Sequence, residues 1–289
     1  MKARLDRVRD AASWPHHAHS RYIRAGSLDW HVQEFGAGPP LLLLHGTGAS
    51  THSFRALAPL LARDHQVIAC DLPGHGFTEN HRARDLTLPG MAQAIGALLQ
   101  ALNCTPQAVI GHSAGCAVAV RMHLDEIIHT PLIIGLNAAL LPFPGAAGRL
   151  FPSMARALFL NPLAPVVFAS QANRRSVARL IAGTGSTLDE QGIALYARLF
   201  ETSAHVSGAI GMMAQWDLET LSADLPRLTA KLALIVGADD KAVPAGQAET
   251  VKGLVPNASV ISLSGLGHLA HEEAPETVEA SIRSALRAG

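Results

Sequence analysis

The sequence predicts an α/β fold: a mostly parallel, eight-stranded sheet with helices on both faces and an inserted helical cap. Three observations carry this expectation. Short, β-rich apolar runs alternate with longer segments of helical periodicity, the rhythm of parallel strands joined by crossover helices. That rhythm stops between Ala138 and Leu228, where helical patterns continue without a convincing strand. Finally, the glycine-rich and polar motifs fall at the C-terminal ends of strand-like runs, where open α/β sheets carry their chemistry.

The strands are expected at Arg21–Arg24, Leu28–Phe35, Pro40–His45, Gln66–Asp71, Gln107–His112, Pro131–Asn137, Lys231–Gly237 and Ala258–Leu263. The first two alternate in polarity and suit an antiparallel hairpin through Ala25-Gly26-Ser27. The later ones are continuous apolar runs, as expected of strands buried on both faces. Helical periodicity separates them at Phe54–Ala62, Pro89–Leu102, Ala114–His129, Ala245–Leu254 and Ala274–Ala288. The chain therefore divides into an N-terminal arm (1–19), a core (20–137 and 229–289) and a cap (138–228). The arm carries Trp14, His16, His17 and His19 and reads as a flexible polar segment.

Composition narrows the function. Formal net charge is zero in 289 residues, which gives no basic footprint for nucleic acid. Cys70, Cys104 and Cys116 lack metal-ligand spacing and read as buried apolar residues in a reducing compartment. Cys116, three residues past Ser113, has a redox role as its alternative reading. The first residues lack the apolar stretch of a secretion signal, and the best apolar run, Ala157–Ser170, is broken by Pro162 and Pro165. A cytoplasmic protein, with peripheral membrane contact at most, is expected. No cofactor and no metal is expected.

Gly111-His112-Ser113-Ala114-Gly115 lies between a strand-like and a helix-like segment. A serine between two glycines at such a turn is a nucleophile elbow: the turn leaves no room for side chains on either side, and the hydroxyl meets a helix N-terminus. A nucleophilic serine needs a base, an orienting acid and an oxyanion hole. Asp240, in Gly237-Ala238-Asp239-Asp240-Lys241-Ala242-Val243-Pro244, is the candidate acid. The alternative acid position, after the preceding strand, holds Asn137, whose amide cannot stabilise an imidazolium. His268, after Gly267, is the candidate base, with His271 as competitor. Oxyanion donors are expected from the N–H groups of Ala114 and Thr47. Asp71–Thr78 adds a loop whose glycines serve turn geometry.

These motifs resemble the α/β-hydrolase superfamily across nearly the whole chain. More narrowly, the chain resembles the magnesium chelatase accessory proteins of bacteriochlorophyll biosynthesis. The similarity rests on Ser20–Gly26 with Trp30-His31-Val32, His45–His52, Asp71–Thr78, Gly111–Gly115 and Leu136–Phe143. In the cap it rests on Thr184-Gly185-Ser186 and His205–Leu218. The resemblance implies a role near magnesium insertion into protoporphyrin IX or the early chlorophyll steps, with chelatase subunits as partners; peripheral contact with the inner or photosynthetic membrane is a separate expectation, from the charge pattern of the cap. No G-x-x-x-x-G-K-[ST] loop is present, so this is not the ATP-hydrolysing component.

From Ile127 to Leu188 there is no Asp or Glu, yet Arg149, Arg156, Arg174, Arg175 and Arg179 fall there among leucines, valines and phenylalanines. A solvated cap is one reading. A surface for an amphipathic anion is the other: a porphyrin, whose propionates arginine pairs bidentately, or an anionic lipid. Arg174 and Arg175, with Met212 and Trp216 at helical spacing, are the cap residues expected near a hydrophobic substrate. The histidines of the arm could alternatively ligate a chlorin magnesium. Three functions follow: a serine hydrolase acting on an ester or acyl group of a hydrophobic substrate, a non-catalytic porphyrin carrier or scaffold with an inherited triad, or the same fold using water or peroxide chemistry without a covalent step.

Overall fold

A computed structural model describes residues 2–79, 82–142 and 156–288. Eight strands, β1 (Ser20–Ala25), β2 (Leu28–Phe35), β3 (Pro40–Leu44), β4 (Gln66–Cys70), β5 (Ala108–His112), β6 (Leu132–Leu136), β7 (Lys231–Gly237) and β8 (Ala258–Leu263), form one sheet. Their order is β1-β2-β4-β3-β5-β6-β7-β8. β1 and β2 form the expected antiparallel hairpin, β2 meets β4 antiparallel, and every later pairing is parallel.

The period of two along each strand sorts its side chains to opposite faces. Leu42, Leu44, Val109, Ile133 and Leu234 pack on one face against α2 (Leu88–Ala101) and α3 (Ala114–Leu124). Leu41, Leu43, Ile110, Ile134 and Ile235 pack on the other against α1 (Leu57–Leu61) and the C-terminal helix Pro275–Ala288. The edge strands β1 and β8 are the least buried of the eight. Helix α3 stops five residues before the periodicity does, because Glu126 takes a left-handed φ of 58°. The first expected helix begins instead as a 3-10 turn, Thr51–Phe54.

In the described part of the cap, residues 156–160 are helical and are followed by α4 (Ala164–Gln171), α5 (Arg174–Gly183), α6 (Glu190–Phe200), α7 (Ser203–Gln215) and α8 (Leu218–Asp224). Arg149 and the neighbouring Leu150, Phe151 and Met154 lie outside the described residues, as does Phe143.

The N-terminal segment is not the free polar arm its sequence suggested. Lys2 bridges to Thr202 of the cap, and Asp10, 2% exposed, pairs with Lys2 and Arg198. Trp14 is buried with Leu5, Phe77, Leu195 and Leu199. His16 binds the carbonyl of Arg55, and His19 stacks on Phe35. An apolar anchor hidden among polar residues decided the outcome: one buried indole outweighs a run of solvated imidazoles.

Candidate active site

Ser113 stands at the turn from β5 into α3 with φ 50° and ψ −115°, a strained conformation for a residue with a side chain. The flanking glycines are required by space. A Cβ on Gly115 would lie 2.1 Å from the Leu44 carbonyl oxygen, and one on Gly111 2.4 Å from the Cys116 nitrogen. Ala114 opens α3, so its N–H has no carbonyl one turn back within the helix. The loop after β3 approaches the same point: a Cβ on Gly46 would come within 3.1 Å of the Ser113 Cβ. Thr47 follows directly, its hydroxyl donating to Met212 Sδ at 3.4 Å.

Two loops from neighbouring strands bring the candidate acid and base together. Past β7, Asp240 Oδ1 accepts the N–H groups of Ala242 and Val243, each at 2.8 Å. Its Oδ2 accepts Nδ1–H of His268 at 2.8 Å. That bond fixes the His268 tautomer and leaves Nε2 with the lone pair a base needs. Hydrogen bonding joins His268 to Asp240 but not, among the described residues, to Ser113. Serine–base contacts of this kind often close only when substrate docks.

The surroundings of His271 disfavour it as a base. It is fully buried against His112 and Phe54, neither ring nitrogen has a partner, and burial pushes its pKa down to about 3. Asn137 has a different use: with φ 47°, its amide donates to Asp240 Oδ2 at 2.7 Å and to the Gly267 carbonyl at 3.3 Å. It braces the oxygen that binds His268. His112, which the sequence reading passed over, donates from Nε2 to the His268 carbonyl at 3.0 Å. Its position beside the serine was the available signal.

The cap reaches these loops through the two segments that carried the narrower resemblance. The turn after α5 seats Gly185, φ 86°, where a Cβ would lie 2.1 Å from the Asp239 carbonyl. Thr184 accepts the Lys241 N–H at 3.0 Å, and the Ser186 hydroxyl accepts the Leu269 N–H at 2.8 Å. In α7, His205 accepts the Gly76 N–H at Nδ1 and donates to the Gly48 carbonyl at 3.1 Å. The cap therefore holds the acid loop, the base loop and the glycine loop beside Ser113. A cavity of about 310 Å³ lies beside His205, lined by Gly74, Phe77, Leu86, Phe159 and Gly208. Ser113 does not line it.

The other cap residues divide. Met212 is fully buried and belongs to the core beneath Thr47, while Trp216 is partly buried beside it. Arg174 and Arg175 are exposed on α5. Cys116 is a buried thiol whose pKa burial raises to about 12, so it is a packing residue rather than a redox group. Asp71 anchors a second hydrogen-bonded chain: His31 Nδ1 meets its Oδ2 at 2.8 Å, and His31 Nε2 meets the Ser20 hydroxyl at 2.9 Å. Asp71 also accepts the N–H groups of Thr51 and Phe77. Ser20 lies at the start of an edge strand, where no helix N-terminus supplies oxyanion donors, so this chain ties β1, β2 and two loops together. Among the described residues, no group of three or more His, Cys, Asp or Glu side chains is arranged around a metal position.

A parallel sheet with a serine elbow and an acid and base on successive loops defines a class, and comparison with known proteins gives the same one. The α/β hydrolase family model matches residues 41–281, and the chain belongs to that family. Within it, the chain is 43% identical over 274 residues to the magnesium-chelatase 30 kDa subunit of Rhodobacter capsulatus, covering 94% of this chain and 95% of that one. It is 27% identical over 259 residues to the pyrrolizixenacetamide deacetylase of Xenorhabdus hominickii, covering 87% and 92%. Among solved structures, the epoxide hydrolase CorEH superposes with a TM-score of 0.79 at 22% identity, over 93% of this chain and 98% of that one. A thermophilic esterase from Thermogutta terrifontis gives 0.74 at 21%, over the same shares. These two share the fold.

Proposed function

We propose that the protein is a serine hydrolase of bacteriochlorophyll biosynthesis, accessory to magnesium insertion, that acts on an ester or acyl group of a hydrophobic substrate. The hydrogen bond from His268 to Asp240 carries the reading: a buried carboxylate that orients an imidazole beside a strained serine has work to do only if that imidazole moves a proton. Ser113 Oγ attacks the acyl carbonyl as His268 Nε2 takes the hydroxyl proton. The N–H groups of Ala114 and Thr47 hold the alkoxide, and His268 returns the proton to the leaving group. Water then cleaves the acyl-enzyme by the same route. The pathway is drawn from the magnesium-chelatase relative, and chelatase subunits and a porphyrin are the partner and substrate that its name suggests.

That same name favours a second reading. Magnesium insertion has no obvious ester to cleave, so the chain could act as a carrier or scaffold beside the chelatase. One experiment separates the two. Ser113→Ala is introduced into a strain lacking the native protein, folding of the variant is verified, and pigment synthesis is measured. Loss of pigment, together with labelling of the parent by a fluorophosphonate, is the expected outcome. Full restoration of pigment by Ser113→Ala overturns the hydrolase.

A further inference from the structure

Nine large apolar side chains are exposed among the described residues, and six of them, Leu158, Leu160, Leu163, Val166, Val167 and Phe168, fall within eleven consecutive positions. Their exposure runs from 38% to 75%. Scattered exposed leucines are ordinary, but a contiguous cluster marks a surface that meets something apolar. Helix α4 contributes three of the six and carries no charged residue. Two residues later, α5 exposes Arg174, Arg175 and Arg179 beside Leu180, itself 51% exposed. Among the described residues these arginines make no ion pair.

We infer that the consecutive helices α4 and α5, with residues 158–163 leading into them, form a membrane-docking surface that takes anionic phospholipid. The apolar side chains enter the acyl boundary while the guanidinium groups meet the headgroup phosphates. Charge selects this occupant over a second copy of the chain. A two-fold interface sets a patch against itself, which would oppose arginine to arginine with no Asp or Glu between residues 127 and 188 to relieve them. An anionic bilayer supplies the missing negative charge.

The surface also lies close to the site. The Phe168 ring is 6.2 Å from that of Phe200, and the Phe200 ring stands 3.4 Å from where a Cβ on Gly48 would be. Gly48 is next to Thr47, so docking sets the loop expected to hold the oxyanion beside the bilayer. On the hydrolase reading, on which this last step rests, the substrate is drawn from the membrane phase. The docking itself does not depend on Ser113 reacting.

Vesicle sedimentation tests the inference with the full-length protein. Vesicles of phosphatidylcholine are compared with vesicles containing phosphatidylglycerol, at low and high salt. Binding is expected only with the anionic lipid and is expected to weaken as salt screens the arginines. Neutralising Arg174, Arg175 and Arg179 to Gln should weaken it by about a hundred-fold, at roughly five-fold per arginine. Leu163→Ser with Phe168→Ser should abolish it, with a circular dichroism spectrum unchanged from the parent. Ser113→Ala should bind as the parent does, which separates failure of docking from failure of catalysis. Equal binding to both lipids, no binding to either, or a stable dimer in lipid-free solution that the serine variants dissociate would each overturn the inference.

Discussion

Ser113 can be placed from sequence because a strained turn leaves a local signature: two glycines that space demands and a serine between them. Asp240 and His268 were candidates for a weaker reason, their order along the chain, and the fold brings the two side chains within 2.8 Å of each other. Asn137 was legible only as an absent carboxylate; that its amide braces Asp240 depends on a left-handed backbone no motif announces. A prediction follows. Asp240→Asn should lower kcat by about ten-thousand-fold, the loss expected when the base is left in the wrong tautomer. Adding Asn137→Asp places a carboxylate close to the vacated charge and should recover at least ten-fold of that loss, as read by ester hydrolysis. If the double variant is as inactive as the single one, the carboxylate does not reach His268. The Ser20–His31–Asp71 chain gives a companion prediction: a fluorophosphonate should label the parent and Ser20→Ala equally, and Ser113→Ala not at all. Labelling that survives in Ser113→Ala would move the nucleophile.

At the scale of elements, strands were the most readable, since period and apolar content agree over five to eight residues. What failed to show was how elements grip one another. Gly185 looks like any loop glycine, yet its missing side chain is what lets the cap sit on the Asp239 carbonyl. Gly185→Ala combines a disfavoured positive φ with a clash against backbone. It should therefore cut kcat on a soluble ester more than it lowers the melting temperature, because the turn contacts the acid and base loops directly. A fall in stability with kcat unchanged would show that the clamp is structural alone. The N-terminal segment teaches the same lesson. Trp14→Ala should cost about 3–5 kcal/mol in urea unfolding, the usual loss for a large buried aromatic. A loss under 1 kcal/mol would mean the segment is dispensable for the fold.

For the whole molecule, the largest unreadable feature is how many histidines fold inside it. His45, His52, His75, His112, His205 and His271 are all buried, and desolvation holds each below its ordinary pKa, His205 at about 4 and His271 at about 3. Four of these six carry nitrogens with no hydrogen-bond partner in addition to their neighbours' like charge on protonation: His52, His75 and His112 each have one, and His271 has two. Below about pH 6.5 the unfolded chain binds protons at these sites and the folded chain does not, so folding loses stability as pH falls. For His205 and His271 the loss runs at up to about 1.4 kcal/mol per pH unit until the folded pKa is reached. Glu272, which burial raises to about 7 despite Arg55 and Tyr196, works the other way, since the folded state keeps its proton longer than the unfolded chain does. It is one group against six. The balance favours loss of stability on acidification, setting in at higher pH than through carboxylates alone. Urea unfolding at pH 8, 7, 6 and 5.5 should show stability level above pH 7 and falling steeply below 6.5. Replacing His271 with Phe should flatten that slope by about one proton, because the ring sits among Phe54 and His112 with nothing to hydrogen-bond. Stability unchanged from pH 7 to 5.5 would mean that the buried imidazoles find protons, or partners, that the folded structure does not provide.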